Sequence, residues 1–436
     1  MKLSSLYWFL KSHKRGAAIA EWVVSQAAFI WRRLLFNTTF IAITGSAGKT
    51  TTKEFLASIL EQHYSVVRTP GNWNHRKYQG PEMTILKTRP WHKFVVMELG
   101  IEIPGDMAPV AQFVNPDLVL MLDIKLCHTN TFKTLESIAQ EKSQLLKHVK
   151  SGGCAVLNQD NPYVVEMATK PGTKLIRFGK SESADIRLVH AESNWPERLK
   201  LHIVYEGKQY EVDTRLVGTH WAPTILASLA AAIHCGVPVQ DAINAIRTIE
   251  PFWARLQPIS LPAYGNATIL RDRDEWNGSI DTFEAALKVL ADANAARKIV
   301  IFSDFSDSKK KLRSRANYLG KVSASYADVA IFVGDYANRS KEAAIEAGLS
   351  EECVYAFFDL AQVTAFLKQF LREGDLVLIK GQANHHLSRI YLGLFGQVAC
   401  SLNSCSLQIL CDRCGRLGFA WHPEIQGYIA PPESIV

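Results

Sequence analysis

The chain has 436 residues, 47% of them hydrophobic and 21% charged, which excludes a disordered or fibrous protein and allows two or three domains with full cores. A formal charge of +7 suits an anionic substrate but is too weak to argue for nucleic acid. Eight cysteines, thinly scattered until the C-terminal tail, exclude a disulfide scaffold and fit a cytoplasmic enzyme with reduced thiols.

The first candidate element is GAAIAEWVVSQAAFIWRRLLF, residues 16–36. Glu21, Ser25, Gln26, Arg32 and Arg33 break its apolar run, so it falls short of the ~18 apolar residues that a membrane span needs. Lys11, Lys14, Arg15, Arg32 and Arg33 accompany Trp8, Trp22 and Trp31. Residues 1–38 therefore read as a basic amphipathic helical segment. It either packs on the next domain, which is the commoner fate, or makes peripheral contact with an anionic membrane surface.

After residue 38, strands and helices alternate. TFIAIT (39–44), KFVVMEL (93–99), DLVLML (117–122) and CAVLN (154–158) read as buried strands. TTKEFLASILEQH (51–63) and TLESIAQEKSQLLKHV (134–149) have helical spacing. A more polar, strand-like stretch covers 184–216, and APTILASLAAAIHCG gives a helix that stops at Gly236. Beyond PFWARLQP the alternation restarts with KIVIFSDF, VAIFVGD and DLVLIKG. Such alternation predicts α/β architecture with mostly parallel sheets. The expected division is 1–38, a central domain 39–255, a second α/β domain of Rossmann-like type 256–399, and a Cys-rich tail 400–436.

One turn stands out, ITGSAGKTTTKEF. A glycine-rich turn between strand and helix exposes backbone N–H groups to phosphate, and the helix N-terminus adds positive potential. The general P-loop pattern would need glycine at position 43, which is Ile43. A shorter form stands instead: Gly45, Ser46, Ala47, Gly48, Lys49, Thr50, Thr51. Lys49 can reach the outer phosphates of ATP, and Thr50 can offer its hydroxyl to Mg²⁺.

This short form resembles the Mur ligase family, ATP-dependent amide-forming ligases of peptidoglycan precursor synthesis and their relatives. Further stretches are similar to family motifs and stand in the family's order: TPGNWNH (69–75), MELGIEIPGDM (97–107), NPDLVLMLDIKLCHTNTF (115–132), SIAQEKSQLL (137–146), CAVLNQDNP (154–162), FWARLQP (252–258), DEWNGSIDTFEAAL (274–287) and DLVLIKGQ (375–382). The resemblance covers roughly residues 39–395, and ordered matches of that extent are specific. It implies a P-loop central domain and a C-terminal α/β domain. It also implies an ADP-forming ligase that joins a carboxylate acceptor to an amino acid or dipeptide amine through an acyl phosphate.

The resemblance further implies residue roles. Lys49 and the loop amides hold phosphates, and Thr50 and Glu98 supply hard oxygen ligands for Mg²⁺. His128 helps hold a second metal, and Lys142 is carbamylated so that a cation becomes a metal-binding carboxylate. Arg255 in the linker meets the phosphates, and Asn277 lies on the nucleotide side. Asn72, Asn74 and Arg76 line the acceptor side, where Arg76 would hold a carboxylate. The acceptor would be a small molecule or carrier-linked.

Departures from the pattern are as informative. Some 40 residues precede the P-loop strand, too few for the small UDP-sugar-binding unit usual in the family, so another acceptor is expected. Thr224 stands where an asparagine near the adenine would be, Arg273 replaces an acid and leaves Asp274, and Ser303 replaces a glycine. Cys400, Cys405, Cys411 and Cys414 suggest a four-thiolate Zn²⁺ site, against a metal-free cysteine-rich turn. The alternatives are the family's cell-wall addition of D-alanyl-D-alanine, which the short N-terminal segment disfavours, and a non-catalytic nucleotide-binding protein. Joint retention of Lys49, Thr50, Glu98, His128 and Lys142 favours the enzyme.

Overall fold

The structure is a computed structural model that describes residues 14–418, apart from 72, 77–79, 128–130, 273–279, 306–309, 406, 408–410 and 412–413. Asn72, His128, Asn277, Arg273 and Asp274 thus lie outside the described residues, as does 1–13 of the N-terminal segment.

Two sheets organise the chain. The first has nine strands in the order β2-β3-β1-β4-β5-β6-β7-β8-β9. These are β1 (Thr39–Thr44), β2 (Val66–Arg68), β3 (Phe94–Glu98), β4 (Leu118–Met121), β5 (Cys154–Asn158), β6 (Lys174–Gly179), β7 (Ile186–Glu192), β8 (Lys200–Tyr205) and β9 (Lys208–Asp213). Pairing is parallel from β2 through β7, and β7, β8 and β9 form an antiparallel meander. The meander is the polar stretch expected over 184–216.

Strand alternation explains why β1 is apolar between its terminal threonines. Ile41 and Ile43 face one layer of helices, and Phe40 and Ala42 face the other. On the first face lie α2 (Lys49–Glu61), α7 (Ala222–His234) and α8 (Val239–Thr248). On the second lie α1 (Lys14–Leu34), α3 (Gly80–Lys87), α4 (Met107–Val114), α5 (Leu135–Lys147) and α6 (Pro162–Val165). The α1 helix packs through Ala28 and Arg32, with Leu35 just past its end, all buried and spaced four and three residues apart. Arg32 donates to the Val114 and Asn115 carbonyls at 2.7 and 2.8 Å, which fixes α1 to the end of α4. So the packing expected of this segment is present on one of its faces.

The second sheet has six strands in the order β10-β11-β15-β12-β13-β14. They are β10 (Gln257–Leu261), β11 (Ala267–Arg271), β12 (Arg297–Phe302), β13 (Val329–Val333), β14 (Val354–Phe357) and β15 (Asp375–Lys380). All pairs are parallel except β10 with β11. Helices α9 (Ile280–Asp292), α10 (Leu312–Tyr326), α11 (Ala337–Glu346), α12 (Leu360–Phe370) and α13 (Ser388–Phe395) flank it. The two sheet units meet where Val217 joins Leu256, Phe283 and Leu287 in one apolar cluster, and where Asn294 N–H donates to the Trp195 carbonyl at 2.7 Å.

Candidate active site

Parallel register brings three strand ends together. Ile43 pairs with Glu98, and Thr44 pairs with Met121, so the turn after β1, the Glu98 side chain and residues 122–123 share one edge of the sheet. Ligands of open α/β sheets bind at such carboxyl ends.

The turn needs its glycines. Gly48 has φ +80°, a left-handed backbone, and a Cβ there would lie 2.9 Å from Thr224 Oγ1. Gly45 would bring a Cβ within 2.9 Å of Leu122 Cβ. Ser46 is tied to the neighbouring strand end, its N–H donating to Asp123 C=O at 2.7 Å and its hydroxyl to Lys125 C=O at 2.9 Å. No side chain caps α2, whose first amides therefore face the turn. Lys49 Nζ donates to Gly45 C=O at 2.9 Å, which curls the lysine over the turn. Thr50 and Thr51 are buried in the first turn of α2, and Thr51 Oγ1 has no hydrogen-bond partner. Thr224 abuts Gly48 and so takes part in walling the turn.

Glu98 ends β3 and is almost fully buried. Asn74 Nδ2 donates to its Oε1 at 2.6 Å, while Oε2 is buried without a partner. An unspent carboxylate oxygen in such a place is costly unless it receives a donor or a metal ion. The residues present therefore fit a hard divalent cation held by Glu98 and Thr50.

Lys142 sits on α5, 1% exposed. Its placement is well fixed. Thr134 and Ser137 close a capping box at the start of α5. Its neighbour Glu141 accepts from Gly105 N–H at 2.9 Å and Met107 N–H at 2.7 Å, which ties α5 to the start of α4. Burial, reinforced by the positive charge of Lys49, lowers the Lys142 ammonium from the usual lysine range to about 7. Cys127, Glu141 and Glu98 pull in the opposite direction, and burial wins. A lysine half-neutral near physiological pH can add CO₂; an ordinary surface lysine is almost wholly protonated there.

The loop between β2 and α3 closes the other side. Lys53 is fully buried and donates to the carbonyls of Thr69, at 2.6 Å, and Gly71. That residue was not singled out from sequence, although its place one turn after Lys49 puts it beneath the loop. Beyond Asn74, a cavity of about 350 Å³ is lined by His75, Arg76, Glu82, Gly100 and Asp106, with Glu21 and Ser25 of α1 on its rim. Arg76 donates to Glu82 Oε1 at 2.8 Å and to Ser25 Oγ at 2.9 Å. His75 Nε2 lies 3.0 Å from Asp106 Oδ2. Burial works against the Asp106 carboxylate, but the N–H groups of Ile103 and Glu102 and the His75 ring together hold it below the usual range. Trp73, between Asn72 and Asn74, is half exposed.

In the linker, Ala254 and Leu256 both have positive φ, 53° and 50°, on either side of buried Arg255. Two non-glycine residues in that region store strain. Leu256 N–H donates to Asp272 Oδ1 at 3.3 Å, and Asp272 forms a buried ion pair with Lys380 from β15. Asp272 was missed from sequence, where Asp274 drew attention. Ser303 touches Gly381, where a Cβ would lie 2.4 Å from the Ser303 hydroxyl. The Ser303 hydroxyl thus takes up the space a side chain at position 381 would need.

The chain matches known proteins along most of these segments. Residues 43–232 match the Mur ligase middle domain, and residues 270–383 match the Mur ligase, glutamate ligase domain, together well over half of the chain. The chain belongs to the Mur ligase family. Among curated relatives, UDP-N-acetylmuramoyl-tripeptide–D-alanyl-D-alanine ligase of Mycobacterium tuberculosis is 27% identical over 277 residues, 63% of this chain and 53% of the relative. The enzyme of that name from Treponema pallidum is 27% identical over 353 residues, 80% of this chain and 73% of the relative. This Mur ligase thus spans about half the length of the Mycobacterium tuberculosis relative. In solved structures, MurF from Acinetobacter baumannii shares the fold with a TM-score of 0.77 at 24% identity, covering 86% of this chain and 80% of that one. MurF from Thermotoga maritima in complex with ADP gives a TM-score of 0.70 at 22% identity, covering 84% and 81%.

The zinc expectation is corrected. Cys400, Cys405, Cys411 and Cys414 are free thiols that border one small cavity with His386 and Arg389. Arg389 Nη1 reaches Cys400 Sγ at 3.5 Å. Among the described residues, no group of three or more His, Cys, Asp or Glu is placed to hold a metal ion. A guanidinium beside the sulfurs opposes a dication there.

Proposed function

We propose that this Mur ligase is an ATP-dependent, ADP-forming ligase that makes an amide bond between a carboxylate acceptor and the amine of an amino acid or dipeptide. One observation carries the reading. The buried, half-neutral Lys142 and the unspent oxygen of Glu98 stand across from a phosphate cradle made by Gly45, Gly48 and the first turn of α2. In a pseudoenzyme, a buried ammonium and an unpaired carboxylate oxygen would only cost stability.

The chemistry follows from the groups. The γ-phosphoryl group passes from ATP to the acceptor carboxylate, ADP leaves, and the incoming amine displaces phosphate from the acyl phosphate. Loop amides and Lys49 neutralise charge on the moving phosphoryl group. Mg²⁺, held by Thr50 and Glu98, supplies further charge neutralisation when bound. Carbamylated Lys142, together with His128, would hold a second such ion. Arg255, set between two strained residues, is the joint about which the sheet units close to exclude water. The reaction belongs in the cytoplasm, where ATP and reduced thiols are found.

The cavity beyond Asn74 is the acceptor pocket in this reading, with Arg76 facing a carboxylate. The basic, tryptophan-containing segment that carries α1 favours an acidic, carrier-linked or lipid-linked acceptor. The relatives' named substrates, UDP-N-acetylmuramoyl-tripeptide and D-alanyl-D-alanine, form the second reading, favoured by the matched sequences.

A phosphate-release screen of amino acids, dipeptides and carboxylic acceptors tests the proposal. Release that needs ATP, one acceptor and one amine together is the expected result. Release that ignores both organic substrates contradicts ligation, and full turnover with the relatives' substrates selects the second reading.

A further inference from the structure

The α1 helix has two apolar faces, and only one is used. Inward, Ala28, Arg32 and Leu35 pack on the central unit. On the opposite side Trp22 is 64% exposed, Ile30 60%, Leu34 56% and Val23 51%, with Phe29 beside them. At 100° per residue, positions 22, 23, 29, 30 and 34 fall within one continuous stripe. Arg33 and the exposed Gln26 lie inside the stripe, the Arg33 guanidinium 3.4 Å from the Phe29 ring centre. Off the stripe, Trp31 holds the turn at Thr88 through Nε1–H to its C=O at 2.8 Å, and Trp91 of that turn is exposed.

A soluble surface rarely keeps so many large apolar side chains together without a partner. Charge selects which partner. Residues 1–38 contain Lys2, Lys11, Lys14, Arg15, Arg32 and Arg33 against the lone acid Glu21. Arg32 is spent on α4, and the other five cations belong to the segment that carries the stripe. A second copy would set that positive charge against itself, and folding back residues 1–13 would add two more lysines to the same face. Nucleic acid would meet the charge but not the indoles and aliphatic chains. No helix among the described residues is long and apolar enough to cross a membrane. A helix with an outward apolar stripe, tryptophans and basic flanks lies in the plane of an anionic bilayer surface.

We propose that the outward face of α1 seats this protein on anionic lipid, with Trp22, Val23, Ile30 and Leu34 entering the headgroup boundary and the basic residues meeting lipid charge. The inward face keeps the cavity rim, through Glu21 and Ser25, next to that surface. The seating stands on the helix alone and holds whichever acceptor the site takes.

Co-sedimentation of the full chain with vesicles tests it. Binding is expected to mixed phosphatidylglycerol–phosphatidylcholine vesicles, to be much weaker with phosphatidylcholine alone, and to fall at about 1 M salt, where screening reaches ~3 Å. Trp22→Asp with Ile30→Asp lowers binding by about tenfold or more, since two large side chains no longer leave water. The variant's thermal melting and phosphate release remain those of the parent. Should it melt early, quenching by brominated lipid in the unaltered chain, lost in Trp22→Phe, gives the answer without a charge in the stripe. Absence of binding, equal binding to neutral vesicles, or binding untouched by the paired substitution overturns the proposal. So does a solution dimer that the paired substitution dissolves, since the stripe would then be a self-interface.

Discussion

Around the phosphate cradle the protein offers mainly backbone: Gly45, Gly48 and the uncapped first turn of α2, with Lys49 as the charged side chain. Around the cavity beyond Glu98 it offers side chains already paired with one another, Arg76 with Glu82, His75 with Asp106, and Asn74 with Glu98. The two regions are a few residues apart at the same sheet edge. A backbone cradle recognises any polyphosphate and changes little, because only the glycines constrain it. A wall of side-chain pairs reads a particular molecule and can be rewritten one pair at a time. In the proposed reading, nucleotide use and acceptor choice are therefore separable, with Lys142 between them.

The sharpest way to break that separation is Lys142→Ala. If this lysine serves both sides as a carbamate, turnover falls by about 10³-fold or more, as for loss of a metal position, and small carboxylates restore part of it. The pH dependence is set by its depressed value of about 7. Only the neutral amine adds CO₂, so bicarbonate is expected to stimulate CO₂-depleted enzyme, and activity to rise as pH passes upward through 7. Stability gives an independent sign. The folded value lies below the unfolded one, so the penalty of burying an ammonium is full below pH 7 and fades as pH climbs towards the ordinary lysine value. Lys142→Met is thus expected to exceed the parent in unfolding free energy, measured by denaturant titration, most at pH 6 to 7, by about 2–4 kcal/mol, with the gap shrinking at higher pH. Unaltered turnover in Lys142→Ala would remove the lysine from the site.

Lys49→Ala acts on the cradle alone. The expected loss is about 10²–10³ in turnover, ~3–4 kcal/mol of charge stabilisation, with the KM for acceptor nearly unchanged. A parallel loss of acceptor affinity would mean that the two regions are not separable.

The smallest effect probes the wall. Arg76→Lys keeps the charge but loses the planar fork that reaches both Glu82 and Ser25. The KM for acceptor is expected to rise about tenfold, ~1.4 kcal/mol, while ADP affinity by calorimetry stays the same. An equal fall in ADP affinity would show that the loop supports the cradle as well.

Legibility in the sequence divides along the same line. The cradle could be read because glycine spacing between an apolar strand and a helix has few other meanings. Long buried strands such as β1, β3, β4 and β15 could be read because both faces are covered and the apolar run is unbroken. Strand β2 has only three residues, and β6 begins with charged Lys174, so neither carries a pattern. The pairing of Asp272 with Lys380 depends on β11 lying beside β15, a neighbourhood that sequence order hides. Arg76 could be read as a basic residue of the loop, but its partner Glu82 and the Ser25 contact belong to folding. The cysteine tail shows the opposite failure. A spacing that suits four thiolates says nothing of Arg389, which packs among them.

The most direct measurement follows oxygen. An acceptor found active in the phosphate-release screen is labelled with ¹⁸O in its carboxylate and turned over with ATP and its amine partner. Attack of the carboxylate on the γ-phosphoryl group, followed by amine displacement, puts one labelled oxygen into the released phosphate, alongside ADP and an amide product. Unlabelled phosphate, or AMP with pyrophosphate carrying no label, would contradict an acyl-phosphate ligase.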